Sequence, residues 1–197
     1  MKKIMMIAAM MIAALGVSAQ NEVGQFSVMP KAGINISSLT KDEGTKSKVG
    51  FVGGLEFAYG AAENFEVTAG VLYSMQGAKV KNTDLKVNMD YINIPILAQY
   101  YIVKGLAVKA GVQVGFNTKA KFSDGNTSVD VKDFYNAIGI DTDKKTVDFS
   151  IPVGLSYEYA HVVLDARYNI GLTKSFKNFD GDKNSVFQIT LGYKFPF

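Results

Sequence analysis

The chain has 197 residues, enough for one domain, with no cysteine and no tryptophan, so neither disulfides nor thiolate metal sites enter its chemistry. Its formal charge of +3 includes Lys2 and Lys3 of the first twenty residues. A balance so close to neutral excludes the basic surface that nucleic-acid binding needs, and no nucleic-acid partner is expected. Ten Tyr, thirteen Phe and nineteen Gly against four Pro lean towards β structure.

The chain opens "MKKIMMIAAMMIAALGVSAQ": a positive start at Lys2 and Lys3, an apolar run from Ile4 to Val17, and the small-residue site Val17-Ser18-Ala19. That order predicts a secretory signal peptide over residues 1–19, cleaved to leave a domain over 20–197. The apolar run is too short for a comfortable transmembrane helix. No cysteine stands at the cleavage site to carry a lipid anchor.

No later stretch is apolar enough for a helical span, and what repeats instead is alternation. Eight segments each put apolar residues on one face: Phe26 to Ile36, Val49 to Tyr59, Phe65 to Met75, Ile92 to Ile102, Leu106 to Phe116, Val147 to Tyr159, Val162 to Leu172, and Phe187 to Phe197. Each covers about eleven residues, close to what a tilted strand needs to cross a bilayer. The opposite faces are small and polar with few charges, unlike the charged exterior of a soluble barrel.

Connections alternate strictly between short and long. "GAAEN", "VKG" and "AH" are tight, whereas "SLTKDEGTKSK", "GAKVKNTDLKVNMD", the stretch from Thr118 to Lys145 and "KSFKNFDGDKN" are long and polar. This is the pattern of an all-β, eight-stranded, antiparallel up-and-down transmembrane β-barrel with periplasmic turns, outer loops and both termini in the periplasm. Phe26, Phe57, Tyr59, Phe65, Tyr100, Tyr157, Tyr159, Tyr193, Phe195 and Phe197 then gather at the periplasmic level as an aromatic girdle. Tyr73, Phe116, Phe149, Tyr168 and Phe187 form a thinner outer group.

Inward positions carry Lys31, Glu56, Glu66, Lys109, Asp148, Glu158, Asp165, Arg167 and Lys194, with Gln76, Gln99 and Gln113. An eight-stranded barrel is just wide enough for side chains to fill, and charges inside it must be paired or hydrated. The expectation is a salt-bridge network near the periplasmic end, with Arg167 and Lys109 as hubs, that plugs the barrel rather than conducting ions.

Catalysis has little to stand on. The single histidine, His161, falls in a periplasmic turn with no placed partner, and neither a nucleophile elbow nor a His/Cys metal signature occurs. "DGDKNS" starts like a calcium loop at Asp180, Asp182 and Asn184, but Ser185 replaces the turn glycine and Leu191 the bidentate Glu. "DTD" at Asp141 and Asp143 is weaker still. No enzyme activity, cofactor or metal is expected.

In the longest loop, "VKDFYNAIGI" places Phe134, Tyr135, Ile138 and Ile140 among polar residues. These either fold back on the barrel mouth or form a contact surface for an extracellular or envelope protein, with Phe134 and Tyr135 as anchors.

The leader, "MPKAGINIS", "DYINIPILAQYY" and the terminal "LGYKFPF" resemble the outer-membrane β-barrel domain family of the Bacteroidetes, porin-family or PorT-like proteins. The architecture is also similar to small barrels of the OmpA and OmpX type. The terminal Tyr193, Phe195 and Phe197 resemble the signal read by the barrel assembly machinery. The resemblance implies an outer-membrane location in contact with lipid and a structural or surface-interaction role. It implies, as the alternative role, an accessory component of a protein secretion or envelope assembly system. Narrow diffusion of small solutes, a separate reading, would require the inward charges to be separated by water. A soluble periplasmic lipid-binding barrel would need the apolar faces to point inward.

Overall fold

The computed structural model describes residues 21–39, 45–80, 85–124, 127–130, 147–174 and 183–197. The expected leader, and Phe134 and Tyr135 of the longest loop, lie outside the described residues.

The β-segments are β1 (Phe26–Leu39), β2 (Thr45–Ala62), β3 (Phe65–Val80), β4 (Leu85–Val103), β5 (Leu106–Asp124), β6 (Thr127–Asp130), β7 (Val147–Tyr159), β8 (Val162–Lys174), β9 (Lys183–Tyr193) and β10 (Phe195–Pro196). All pairings are antiparallel, in the order β1-β2-β3-β4-β5-β7-β8-β9, and β1 pairs β9 to close the ring. The short β6 pairs only β5, outside the ring. The segment β10 continues β9 along β1: Lys31 faces Gly192 and, in the same register, Val28 faces Phe195. The result is a closed barrel of eight staves.

Period two sorts the side chains. Ile96, Val112, Leu155 and Leu191 are between 50% and 58% exposed on the outer wall, while Val52, Leu72, Leu97, Glu56 and Asp165 are at most 1% exposed inside. A wall of apolar residues facing out is stable only in an apolar solvent, and it leaves no apolar lumen to carry a lipid. No helix among the described residues is long and apolar enough to cross a membrane.

The staves are longer than the apolar alternation. β4 starts at Leu85 rather than near Ile92, β3 runs to Val80, and β5 continues past Phe116 to Asp124. Much of "GAKVKNTDLKVNMD" is therefore strand, paired Lys79 to Lys86 and Asn88 to Lys121. The hydrogen-bond ladder is indifferent to side-chain polarity, so a hairpin that rises beyond the apolar band keeps its strands and changes only its surface.

At the other end the connections are tight. Asn64 and Gly105 have φ of 60° and 85°, and Ala160 and His161 are consecutive left-handed residues at 46° and 70°. Two such residues fit the primed turn that matches strand twist, although a side chain there costs about 1–2 kcal/mol per residue. Lys194 N–H donates to His161 O at 2.8 Å, and the His161 ring lies 5.8 Å from that of Tyr193. His161 thus helps to join the last turn to the closing stave.

The aromatic rings follow the register at this end. Phe26 faces Tyr59 with centroids 4.6 Å apart, Phe65 faces Tyr100, and Phe197 stacks on Phe26 at 6.4 Å. Tyr73, Phe116, Phe149, Tyr168 and Phe187 lie outward towards the loop end, joined there by Phe51.

Val112 is 58% exposed in the middle of β5. Val112→Arg puts a guanidinium in the hydrocarbon and is expected to cost about 2–4 kcal/mol. The check is loss of the folded, heat-modifiable band from outer membranes on unboiled SDS gels.

Candidate functional site

The lumen is where the chain concentrates its polar chemistry. Because inward positions recur every second residue, β1 contributes Lys31, β2 Glu56, β5 Lys109, and β8 both Asp165 and Arg167. Arg167 is held by Glu56 Oε2 at 3.0 Å and by Asp165 Oδ1 at 2.7 Å. Lys109 reaches Asp165 Oδ2 at 2.7 Å and Glu56 Oε1 at 3.6 Å, and Lys31 reaches the same oxygens at 3.7 and 3.1 Å. β2 and β5 are not sheet neighbours, nor are β2 and β8, so these bonds cross the lumen instead of running along its wall.

Glycine makes the room. Lys31 faces Gly54 on one side and Gly192 on the other, Glu56 faces Gly70, and Lys109 and Arg167 both face Gly154. A methyl group on Gly154 would stand 2.8 Å from Arg167 Cα and Cβ. The long side chains fill the space that their neighbours vacate.

A second cluster lies nearer the tight turns. Lys194 Nζ bridges Glu66 Oε1 at 2.8 Å and Glu158 Oε2 at 3.1 Å. Tyr101 OH donates to Glu158 Oε2 at 2.8 Å, and Gln99 Nε2 donates to Glu66 Oε2 at 3.4 Å. All eight of Lys31, Glu56, Glu66, Lys109, Glu158, Asp165, Arg167 and Lys194 are therefore inside the barrel, at 0–4% exposure, divided between two clusters.

The loop half is different in kind. Gln76, Tyr91, Asn93, Gln113, Asp148, Ser150, Asn169 and Thr173 line a cavity of about 30 Å3, room for roughly two waters at 10–15 Å3 each. Thr173 Oγ1 donates to Asp148 Oδ1 at 3.0 Å, and Gln113 Nε2 donates to Ser150 Oγ at 3.2 Å. Apart from the Asp148 carboxylate, the polar groups here are amides and hydroxyls, which suit ordered water as well as each other.

Among the inward polar side chains that sequence reasoning did not single out, three stand apart. Lys48, whose Nζ donates to Gln76 O at 2.9 Å, and Asp90, which accepts from Tyr73 OH at 2.7 Å, both fall just beyond the apolar alternation. Tyr101 was within reach of parity, since Gln99 faces inward two residues earlier. Among the described residues no three His, Cys, Asp or Glu side chains converge on a metal position. Asp141, Asp143, Asp180 and Asp182 lie outside the described residues.

Residues 18–177 match the family model described as the outer membrane protein beta-barrel domain. The chain belongs to that family. Solved structures similar to this outer-membrane barrel domain share its fold. They include Ail, the attachment invasion locus protein of Yersinia pestis, at 19% identity and a TM-score of 0.52, covering 88% of this chain and 100% of that one. Neisserial surface protein A gives 14% identity and a TM-score of 0.53 over 86% and 97% of the two chains. OprG from Pseudomonas aeruginosa gives 16% identity and a TM-score of 0.51 over 91% and 99%. No curated protein matches the sequence.

Removing Arg167 tests the central cluster. Arg167→Met strips Glu56 and Asp165 of their shared guanidinium in a dry setting and is expected to destabilise the barrel by about 3–5 kcal/mol. The gel-shift melting temperature of the purified protein in detergent checks it.

Proposed function

We propose that this outer-membrane barrel serves a structural or surface-interaction role: a rigid, plugged cylinder that holds its long loops outside the cell while its turns and termini face the periplasm. The observation that carries the reading is the central cluster, in which three cations and two carboxylates meet across the lumen. A hydrated ion following the barrel axis would have to break these contacts in a space side chains already fill. On this reading the barrel is neither an enzyme nor an open pore, and it needs no cofactor. Recognition belongs to the loops, with Phe134 and Tyr135 as the anchors offered to an extracellular or envelope protein.

Planar-bilayer recording tests the plug. The wild-type protein is expected to show no steady conductance, and Arg167→Met is expected to stay closed while it loses stability. A stable current through either protein favours the diffusion reading instead.

The carboxyl-terminal strand has its own part in the proposal, as the segment offered to the barrel assembly machinery. Phe195 and Phe197 are 49% and 75% exposed on the outer wall, and Phe197 N–H donates to Phe26 O at 2.9 Å. Rings that point to lipid at a strand end are accessible before the ring has closed. Deleting Phe197 is expected to lower the outer-membrane fraction several-fold while leaving secretion across the inner membrane unchanged, as cell fractionation would show.

A further inference from the structure

The approach to β1 is tied to the barrel. Gly24 N–H donates to Gly60 O at 2.7 Å, and Gly60 N–H donates to Gln25 O at 3.0 Å. Asn21 turns towards the lumen: its side-chain amide donates to Ser27 Oγ at 3.0 Å and its backbone N–H to Glu66 Oε1 at 2.9 Å. A main-chain amide is thus delivered to a carboxylate that is 2% exposed.

That carboxylate belongs to a cluster with more acid than base. Glu66 and Glu158 share Lys194 as their ammonium. Glu158 Oε1 is buried and has no hydrogen-bond partner among the described residues. The cluster is short of a positive charge and a donor at the place where the start of the domain is held. A buried acceptor left without a donor destabilises the fold, the more so when it is charged.

Removal of the leader after Ala19 would supply the positive charge and, with it, additional N–H donors. It turns the nitrogen of Gln20 from a neutral amide into an α-ammonium, and one residue of chain keeps that nitrogen within roughly 3.6 Å of the Asn21 nitrogen. We propose that Glu66 and Glu158 form a receptor for the α-ammonium of the processed chain, so that leader removal creates the ion pair that completes the cluster at the turn end of the lumen. The inference rests on the leader reading. It makes maturation part of the fold: a chain with its leader attached carries no charge at that nitrogen.

The new first residue also provides the probe. An amino-terminal glutamine can cyclise: its α-nitrogen attacks the side-chain amide carbon, the C–N bond to the amide nitrogen breaks, ammonia leaves, and the resulting lactam nitrogen carries no positive charge. The step consumes the Gln20 side-chain amide and alters no other side chain.

The test starts from protein processed in cells and purified from outer membranes, with intact mass establishing Gln20 with a free amine as the first residue. Half is treated with glutaminyl cyclase while unfolded in urea, both halves are refolded in detergent, and the temperature at which the folded band is lost is read from unboiled gels. The cyclised form is expected to melt several degrees lower, and the difference is expected to vanish in Glu66→Gln. Glu158→Gln is the second variant, should Glu66→Gln not refold.

Equal melting of the two forms, or an undiminished difference in the variant, overturns the receptor. So does protein isolated already cyclised, because an ammonium held by two buried carboxylates would not react. A mass that begins at another residue overturns the leader reading, which separates the two failures.

Discussion

Every backbone N–H and C=O within a bilayer must find its partner in the protein, because hydrocarbon offers none. The rest of this structure follows from that demand. A β-sheet can meet it only by closing on itself, and here closure is the pairing of β1 with β9 and its continuation β10, from Leu39 opposite Asn184 to Ser27 opposite Pro196. The closing seam involves the last residues of the chain. That is why the sequence keeps strict alternation through Tyr193, Phe195 and Phe197.

Closure in turn creates the problem of the lumen. Eight staves leave an interior of side-chain width, and the faces that turn inward are the polar ones. Two solutions coexist along the axis. Towards the turns, long charged side chains are set opposite glycine and neutralise one another across the barrel, a packing arrangement as much as an electrostatic one. Towards the loops, shorter amides and hydroxyls surround a small polar cavity. Buried ion pairs contribute little net stability against apolar replacements. Their value here is that one geometry satisfies Glu56, Asp165, Lys31, Lys109 and Arg167 together, which pins the register of β1, β2, β5 and β8.

Much of this was legible in the sequence, because a period of two is a direct readout of which face each residue occupies. The eight apolar faces, the short turns and the inward positions of Lys31 or Arg167 all follow from counting. Counting falters where polarity changes without a change of backbone. Lys48 and Asp90 sit on strands that continue past the apolar band, and hydropathy alternation loses sight of a strand that has left the lipid. Which charge meets which is also hidden. Partners such as Glu56 and Arg167, 111 residues apart, are brought together by the stagger of the staves, a property of the closed ring. The left-handed pair Ala160–His161 is legible only as a very short connection, since neither residue is a usual choice for that conformation.

Lys194 joins the two demands. It occupies the inward position between β9 and β10; Glu158 on β7 lies two staves away across β8, but Glu66 on β3 comes within its reach only when the closing stave lies against β1. Before closure, the Glu66 carboxylate at the turn end of the lumen lacks that ammonium, and the free edges of β1 and β9 carry unpaired backbone groups. One movement relieves both costs. Strand pairing alone would tolerate a slip of two residues, which keeps every side chain on its proper face. Such a slip would carry Lys194 about 7 Å along the barrel, at roughly 3.4 Å per residue, away from its carboxylates. The buried lysine therefore supplies what the alternation of the last strand cannot: a preference for one register among those that bury the same faces.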